Sequence, residues 1–232
     1  MLDQGTADTI DRMTRKYWEQ RVTEDGFLRL AAGKEIGHRI ADMVDEETTG
    51  LIERRLTTRR QRKPGGASMP RSMGDIWVLS SGIYNPINVK AGESDKRGQP
   101  NMVSLKKLLR ALLLRQIDSY YLLIVKMRLP APIIVSVYLK DILDYLDHVT
   151  FDSGPGQIML KERQFYEAVE AGTIPPPLTM DEKVSTLFRL LEDADRRLLR
   201  NRGRVMDLMR KMRDQFLAST APGIDQTALN LQ

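Results

Sequence analysis

Apolar residues recur along this chain at two spacings, and the spacing changes near residue 74. In residues 6 to 61 they return every three or four positions, as in the run from Ile10 to Tyr17, which is the period of an α-helix. Thr6 is expected to cap the first helix, and a break near Gly50 is expected to divide a later one. The first quarter of the chain is therefore predicted to be helical.

The stretch from 74 to 92 has a different pattern, with two short apolar runs at 76–79 and 87–91. Ser-Ser-Gly follows the first run, and Gly92 ends the second, which predicts a β-hairpin. Side chains alternate between the faces of a strand, so Asn88 and Lys90 are expected on one face and their apolar neighbours on the other. Antiparallel pairing would bring Asp75, at the start of the first strand, towards both polar residues.

The following elements predict the fold class. Ser104 is expected to cap a helix from 105 to 117, and strands are predicted at 120–129 and 133–139, with a short helix at 140–148 that Asp141 caps. A strand, helix, strand order implies a sheet that is at least partly parallel. The prediction is an α/β (α+β) protein with a central mixed sheet and flanking helices.

The C-terminal part is predicted to be helical after a turn at 151–156, with helices at 162–170 and 180–217. The second helix is amphipathic, and Gly203 is a candidate break within it. We expect one domain over 1–217, with its core at 74–149, a helical part at 6–61 before the core and helices at 162–217 after it. Residues 218–232 are expected to be a flexible tail.

Composition narrows the chemistry. The 232 residues include no cysteine and two histidines, which excludes disulfides, thiolate zinc sites and a cysteine nucleophile. A metal, if bound, is expected to be a hard cation held by oxygen. The net charge of +5 favours a polyanionic partner. No apolar run is as long as a membrane span, and the acidic first eleven residues do not form a signal peptide, so a cytoplasmic protein without membrane contact is expected.

Asp75 at a strand start, followed by Asn88-Val89-Lys90 on the next strand, resembles the PD-(D/E)XK nuclease superfamily, in particular the type II restriction endonucleases. The chain departs from that pattern with Gly74 in place of proline and with Asn88 in place of an acid. The resemblance implies a restriction-endonuclease-like core over about 74–149, with Asp75 and Asn88 holding Mg²⁺ and Lys90 orienting the attacking water. It also implies a bacterial or archaeal enzyme that cuts double-stranded DNA, works as a homodimer on a palindromic site and has a DNA methyltransferase as its genetic partner.

Enzymes of this class often place a further acid on a helix ahead of the hairpin. Glu53 is the first choice because it is nearest in sequence, and Glu35, Glu46 and Glu47 are the other candidates. The alternative for each is an ordinary solvated charge on a helix surface.

DNA contacts are predicted in two polar segments and one turn. Seven basic residues lie in 54–71 without an intervening acid, and the loop at 92–101 carries side chains that can read base edges. The predicted DNA-binding residues are Arg59, Arg60, Arg62, Lys63, Lys96, Arg97, Gln99, Asn101 and Gln157. Solvated loops are the plain alternative.

Two other functions remain open at this point. One is a repair or recombination nuclease of the same superfamily that reads DNA shape. The other is a non-enzymatic helical DNA-binding or assembly protein, whose long C-terminal helix oligomerises and whose basic segment binds phosphates.

Overall fold

The computed structural model describes residues 1–30, 38–60, 73–93, 101–128, 133–152, 156–173, 175–176 and 178–219. The helices within these residues are α1 (Gln4–Arg21), α2 (Asp25–Leu30), α3 (His38–Glu53), α4 (Leu105–Leu113), α5 (Glu162–Glu170) and α6 (Met180–Ser219). The strands are β1 (Thr58–Arg59), β2 (Ile76–Ser80), β3 (Ile83–Glu93), β4 (Asn101–Ser104), β5 (Tyr121–Arg128), β6 (Ile133–Asp141), β7 (Val149–Asp152) and β8 (Gln157–Leu160). Two 3-10 turns, Ile142–Asp144 and Leu146–His148, connect β6 to β7.

The central sheet has five strands in the order β1-β2-β3-β5-β6. β3 and β5 are parallel and the other neighbours are antiparallel, so the sheet is mixed, as the sequence predicted. α4 lies in the crossover between the two parallel strands, which need a long connection of this kind. The predicted α/β class with a central mixed sheet and flanking helices is confirmed.

One face of the sheet is covered by α1 and α3. Ile10 and Trp18 of α1 and Val44 of α3 are fully buried in the core between these helices and the sheet. The Trp18 indole donates a hydrogen bond of 2.9 Å to the buried Thr48 hydroxyl, which joins α1 to α3. The predicted break near Gly50 is wrong, because α3 runs unbroken to Glu53 and its threonines find partners within the helical packing.

The other face is covered by α4, α5, the beginning of α6 and a second, three-stranded sheet in the order β4-β8-β7. Leu108, Leu112, Phe165 and Leu187 are fully buried there. The sequence did not predict the second sheet. It is built from the end of the predicted polar loop, from the predicted turn and from the residues after that turn.

Several element ends differ from the predictions. Asp3 caps α1 in place of Thr6, since its carboxylate accepts the Thr6 backbone N–H at 2.8 Å. Ser104 does occupy the cap position of α4, but its side chain makes no capping hydrogen bond, and α4 ends at Leu113 instead of 117.

The segment predicted as a helix at 140–148 is the end of β6 followed by the two 3-10 turns. Asp141 nevertheless caps the first turn, accepting the Leu143 N–H at 3.0 Å. Helix α6 passes through Gly203 without a break. The predicted tail beyond Ser219 lies outside the described residues. Within the part of the chain that is described, no helix is long and apolar enough to cross a membrane.

Candidate active site

The β2–β3 hairpin brings the predicted site residues together. Ile76 pairs with Ile87, so the next position outward sets Asp75 opposite Asn88. The Asp75 N–H donates to the Ile87 carbonyl at 2.9 Å, and the Val89 N–H donates to Asp75 Oδ2 at 2.7 Å. The first bond fixes the backbone of Asp75 against β3, and the second fixes its carboxylate through Oδ2, which leaves Oδ1 as the other acceptor atom.

Gly74 explains one departure from the nuclease pattern. A Cβ at this position would lie 3.1 Å from the Pro86 Cβ and 3.2 Å from the Ile87 nitrogen. Such distances are tighter than ordinary packing allows, so the absence of a side chain lets the segment before Asp75 approach β3 closely.

Asn88 and Lys90 share the face of β3 that points towards α4. Their partners in the parallel strand, Leu122 and Ile124, belong to the core on that side. Asn88 is only 4% exposed, so this face of β3 is buried at that position. Its Nδ2 donates to the Met102 carbonyl at 3.4 Å, while its Oδ1 is buried without a hydrogen bond. A buried oxygen without a partner is costly and is well suited to a cation or a ligand donor.

Asp75 lies in a mostly buried and strongly charged environment. Burial raises the pKa of its carboxyl group, and the positive charges of Lys90 and Arg60 oppose that rise. The hydroxyl of the fully buried Tyr120 interacts electrostatically with the same carboxylate. Burial raises the pKa of Tyr120 well above its usual value, and the negative charge of Asp75 raises it further.

Asp45 of α3 joins this cluster, and sequence reasoning did not select it. Burial, followed by the negative charge of Asp75, raises the pKa of Asp45 to about 7, against the opposing charges of Lys90 and Arg60. Its Oδ1 is buried without a hydrogen bond. Helix periodicity carried a usable signal, because Thr49 and Ile52, four and seven positions further on, are buried on the same side of α3.

The acids that sequence reasoning named on α3 have other contacts. Glu46 Oε1 lies 2.8 Å from the Arg60 guanidinium, and Glu53 Oε2 lies 3.8 Å from it. Glu47 accepts hydrogen bonds from Tyr17 and Arg21. Glu35 lies outside the described residues. Glu53 therefore lies beside Arg60, the basic residue next to the cluster. Asp45 and Glu46 are the α3 acids that interact with Asp75, since the charge of Asp75 raises the pKa of Asp45 and the charge of Glu46 raises the pKa of Asp75.

The predicted DNA-binding residues that are described lie on two sides of the hairpin. Arg59 on β1 stacks over the Tyr84 ring, with 4.0 Å from its guanidinium carbon to the ring centre. Asn101 is exposed at the start of β4, one residue from the Met102 carbonyl that binds Asn88. Gln157 lies on β8, where it pairs with Ser104 of β4. Arg60, also predicted to contact DNA, has a side chain that is only 2% exposed and lies 2.8 Å from Glu46 Oε1. Arg62, Lys63, Lys96, Arg97 and Gln99 lie outside the described residues.

The donor set is suited to a hard cation but is incomplete by itself. Within the described residues, no group of three or more histidine, cysteine, aspartate or glutamate side chains is arranged to hold a metal. Asp75, Asp45 and Asn88 offer two carboxylates and one amide oxygen. Mg²⁺ commonly uses one or two carboxylates and completes its shell with water and substrate phosphate, so this set fits that ion.

The arrangement thus combines two buried acids and a buried amide oxygen with Lys90 on the same strand as Asn88. Such a site can hold a cation and present a positive side chain to an anion. The chain matches no model of a known protein family, and no curated protein sequence is significantly similar to it.

Proposed function

We propose that the protein is a Mg²⁺-dependent endonuclease of restriction type that cuts double-stranded DNA. The observation that carries the proposal is the hairpin pairing that sets Asp75 opposite Asn88, with Lys90 further along the same strand and Asp45 of α3 beside them. The charges of Asp75 and Lys90 both shift the pKa of the buried Asp45 carboxyl group. Two acids that repel each other in a buried site gain stability from a cation between them. A structural salt bridge alone would not need the second acid.

In this proposal Asp75, Asp45 and the Asn88 oxygen hold the metal. Mg²⁺ bound there would polarise the scissile phosphate and lower the pKa of a bound water. Asp45 supplies the negative charge that Asn88, as an amide, does not. This assignment gives α3 the role first considered for Glu53.

Lys90 would act on the substrate from its position two residues after Asn88, on the same face of β3. Its ammonium group would contact a phosphoryl oxygen and orient the attacking water, and it would offset charge that develops in the transition state. Arg60 supplies a second positive charge beside Asp45 and Asp75. Its side chain is 2% exposed and its charge lowers the pKa of both acids, which favours their ionised, metal-binding forms.

DNA would approach across the hairpin, with Arg59 of β1 on one side of it and the start of β4 on the other. Arg59 offers a guanidinium for a backbone phosphate, and Asn101 offers an amide for a base edge. Because the Asn88 amide bonds to β4, a base contact at Asn101 would be coupled to the position of a metal ligand.

The test is incubation of the purified protein with long unmethylated DNA over a range of Mg²⁺ concentrations, with EDTA as a control. We expect discrete fragments that require Mg²⁺, and no fragments from Asp75→Asn or Asp45→Asn. Asp42→Asn, which alters an exposed acid on the same helix, is the matched control and should cut normally.

Lys90→Ala should abolish cleavage while the protein still binds DNA, because the metal ligands remain. Full activity of Lys90→Ala, or no cleavage of any DNA by folded wild-type protein, would refute the proposal. Metal-dependent cutting without discrete fragments would support a nuclease that reads DNA shape in place of sequence.

A further inference from the structure

Helix α6 has two halves with different surroundings. The proximal half, 180–195, packs on the core through Leu187 and Ala194, which are 0% and 3% exposed. The distal half, 196–219, adds 24 residues, or about 36 Å of helix, and its described side chains are exposed apart from Leu198.

The stripe that packs on the core continues along the distal half. Leu191, Leu198, Val205 and Met212 follow one another at intervals of seven, which is the spacing of a helix that packs against another helix. Beyond Leu198 this apolar surface is uncovered. The large apolar side chains that are exposed on the distal half, each between 54% and 67%, are Leu199, Val205, Met206, Leu208, Met209 and Met212. Large exposed apolar surfaces of this kind mark interaction sites.

The two halves carry opposite charge. The proximal half has five acidic and two basic residues, and the distal half has eight basic and two acidic residues. Parallel pairing of two α6 helices would set like charges side by side. Antiparallel pairing sets the basic half of each helix along the acidic half of the other.

One register sets opposite charges level at two positions and apolar side chains level at a third. Asp181, Phe188, Glu192 and Asp195 are all exposed and fall at intervals of seven, four and three, so they form one face of the proximal half. If the two-fold axis passes at residue 197, Glu192 lies level with Arg202 of the partner subunit. Phe188 lies level with the partner's Met206, and Asp181 with the partner's Arg213. All three pairs follow from one axis, and the symmetry repeats each of them.

A groove on the core adjoins this surface. It has a volume of about 750 Å³, and its lining is mostly apolar, with the basic side chains Lys106 and Arg110 among it. The apolar lining residues are Leu105, Leu109, Leu113, Leu114, Phe151 and Leu191. Leu113 and Leu114 are 58% and 56% exposed, and Leu191 belongs to α6 itself. The distal half of a second copy, lying along the proximal half, would run beside this groove and cover it.

We infer that two copies of this chain associate through antiparallel pairing of their α6 helices, with the basic distal half of each on the acidic proximal half of the other. The interface is isologous and closes with two copies. It stands on the charges and apolar faces of α6 and is independent of the proposed nuclease activity.

The first test uses sedimentation of the full chain and of two charge-reversal variants. Arg202→Glu with Arg213→Glu sets acidic side chains level with the partner's Glu192 and the partner's Asp181, and Asp181→Lys with Glu192→Lys sets basic side chains level with the partner's Arg213 and the partner's Arg202. We expect the wild-type protein to be a dimer, each variant to be a monomer, and an equimolar mixture of the two variants to form dimers again. A wild-type monomer at every concentration, or a mixture that stays monomeric, would overturn the inference.

The second test exploits the absence of cysteine in the natural sequence. Phe188→Cys and Met206→Cys are prepared separately, one with a size tag, and oxidised alone and together. Antiparallel pairing predicts a disulfide between the two variants and little within either one. Efficient crosslinking of Met206→Cys to itself would indicate parallel pairing and refute the register. Circular dichroism of each variant checks that α6 is still helical.

Discussion

At the scale of single residues, the site is defined by groups whose burial conflicts with their charge or polarity. Asp45 and Asn88 each have a buried oxygen without a hydrogen bond. Of the two Asp75 carboxylate oxygens, Oδ2 accepts the Val89 N–H. Proteins seldom leave such atoms unsatisfied unless a ligand or ion completes them. These atoms therefore support the candidate site independently of any sequence motif.

The raised pKa of Asp45 predicts a specific pH dependence of stability. Its pKa is about 7 in the folded protein and 3.8 as the ordinary value, so the folded state retains a proton that the unfolded chain releases between these values. The stability that this group contributes is fully present below about pH 4 and is lost as the pH rises through 7. Asp45→Asn removes this loss.

We expect Asp45→Asn to be more stable than the wild-type protein at pH 8 by about 1–3 kcal/mol, and the advantage to shrink towards pH 4. Urea unfolding at several pH values measures the difference. Asp42→Asn should show no such trend. A difference that stays constant with pH would contradict the raised pKa. Under the proposed function, Mg²⁺ should narrow the gap at pH 8, because the cation stabilises the ionised acid only in the wild-type protein.

The residues of the hairpin could be predicted from sequence, whereas helix periodicity could place Asp45 on the buried side of α3 but could not single it out. Alternation along β3 was enough to set Asn88 and Lys90 on one face, and antiparallel pairing was enough to bring Asp75 there. Asp45 is one of several acids on α3. Selecting it requires knowing how α3 is rotated about its own axis relative to β3. That rotation depends on the packing of α3 against α1, where Trp18 bonds to Thr48.

At the scale of elements, helix α5 locks the end of β3 beside the candidate site. Gly92 lies two residues after Lys90, and a Cβ there would overlap the Tyr166 hydroxyl and lie 3.0 Å from the Ile124 Cγ2. Tyr166 donates to the buried Glu162 at 2.6 Å, so neither side chain can move without breaking this bond. The contact holds α5 close to the strand that carries Lys90.

Gly92→Ala should therefore destabilise the protein by about 1–3 kcal/mol, the usual cost of overpacking a core. Gly26→Ala is the control, since a Cβ at that helical position meets no atom within 4 Å, and it should be neutral or stabilising. Chemical unfolding of both variants gives the comparison. A Gly92→Ala protein as stable as the wild type would show that α5 does not pack so closely on β3.

Element predictions succeeded where the pattern was local and failed where it was not. The long helix α6 was predicted from its amphipathic pattern, and the strands β5 and β6 were predicted from short apolar runs. The second sheet pairs β4 with β8, more than fifty residues later, and each of its strands has four residues. Runs of that length carry little periodicity, and their pairing is fixed by contacts distant in sequence.

At the scale of the whole molecule, the chain divides into a core and a projecting half-helix. The core depends on the proximal half of α6, because Leu187 is fully buried and Lys183 lies 3.4 Å from Asp144 and 3.8 Å from Asp141. The distal half contributes exposed side chains and most of the positive charge of the helix. Folding and association should therefore be separable by truncation.

A chain that ends at Asp195 should stay folded, because it retains all the α6 side chains that are buried in the core among those described. A chain that ends at Thr179 should lose several kcal/mol or fail to fold, since it uncovers Leu187 and leaves Asp141 without Lys183. Thermal unfolding by circular dichroism distinguishes them. If the α6 helices pair as inferred, the Tm of the full chain should rise with protein concentration, because association stabilises only the folded state. The chain ending at Asp195 should show a Tm that does not change with concentration, and a Tm that rises equally in both would assign the dimer contact to the core instead of the distal half.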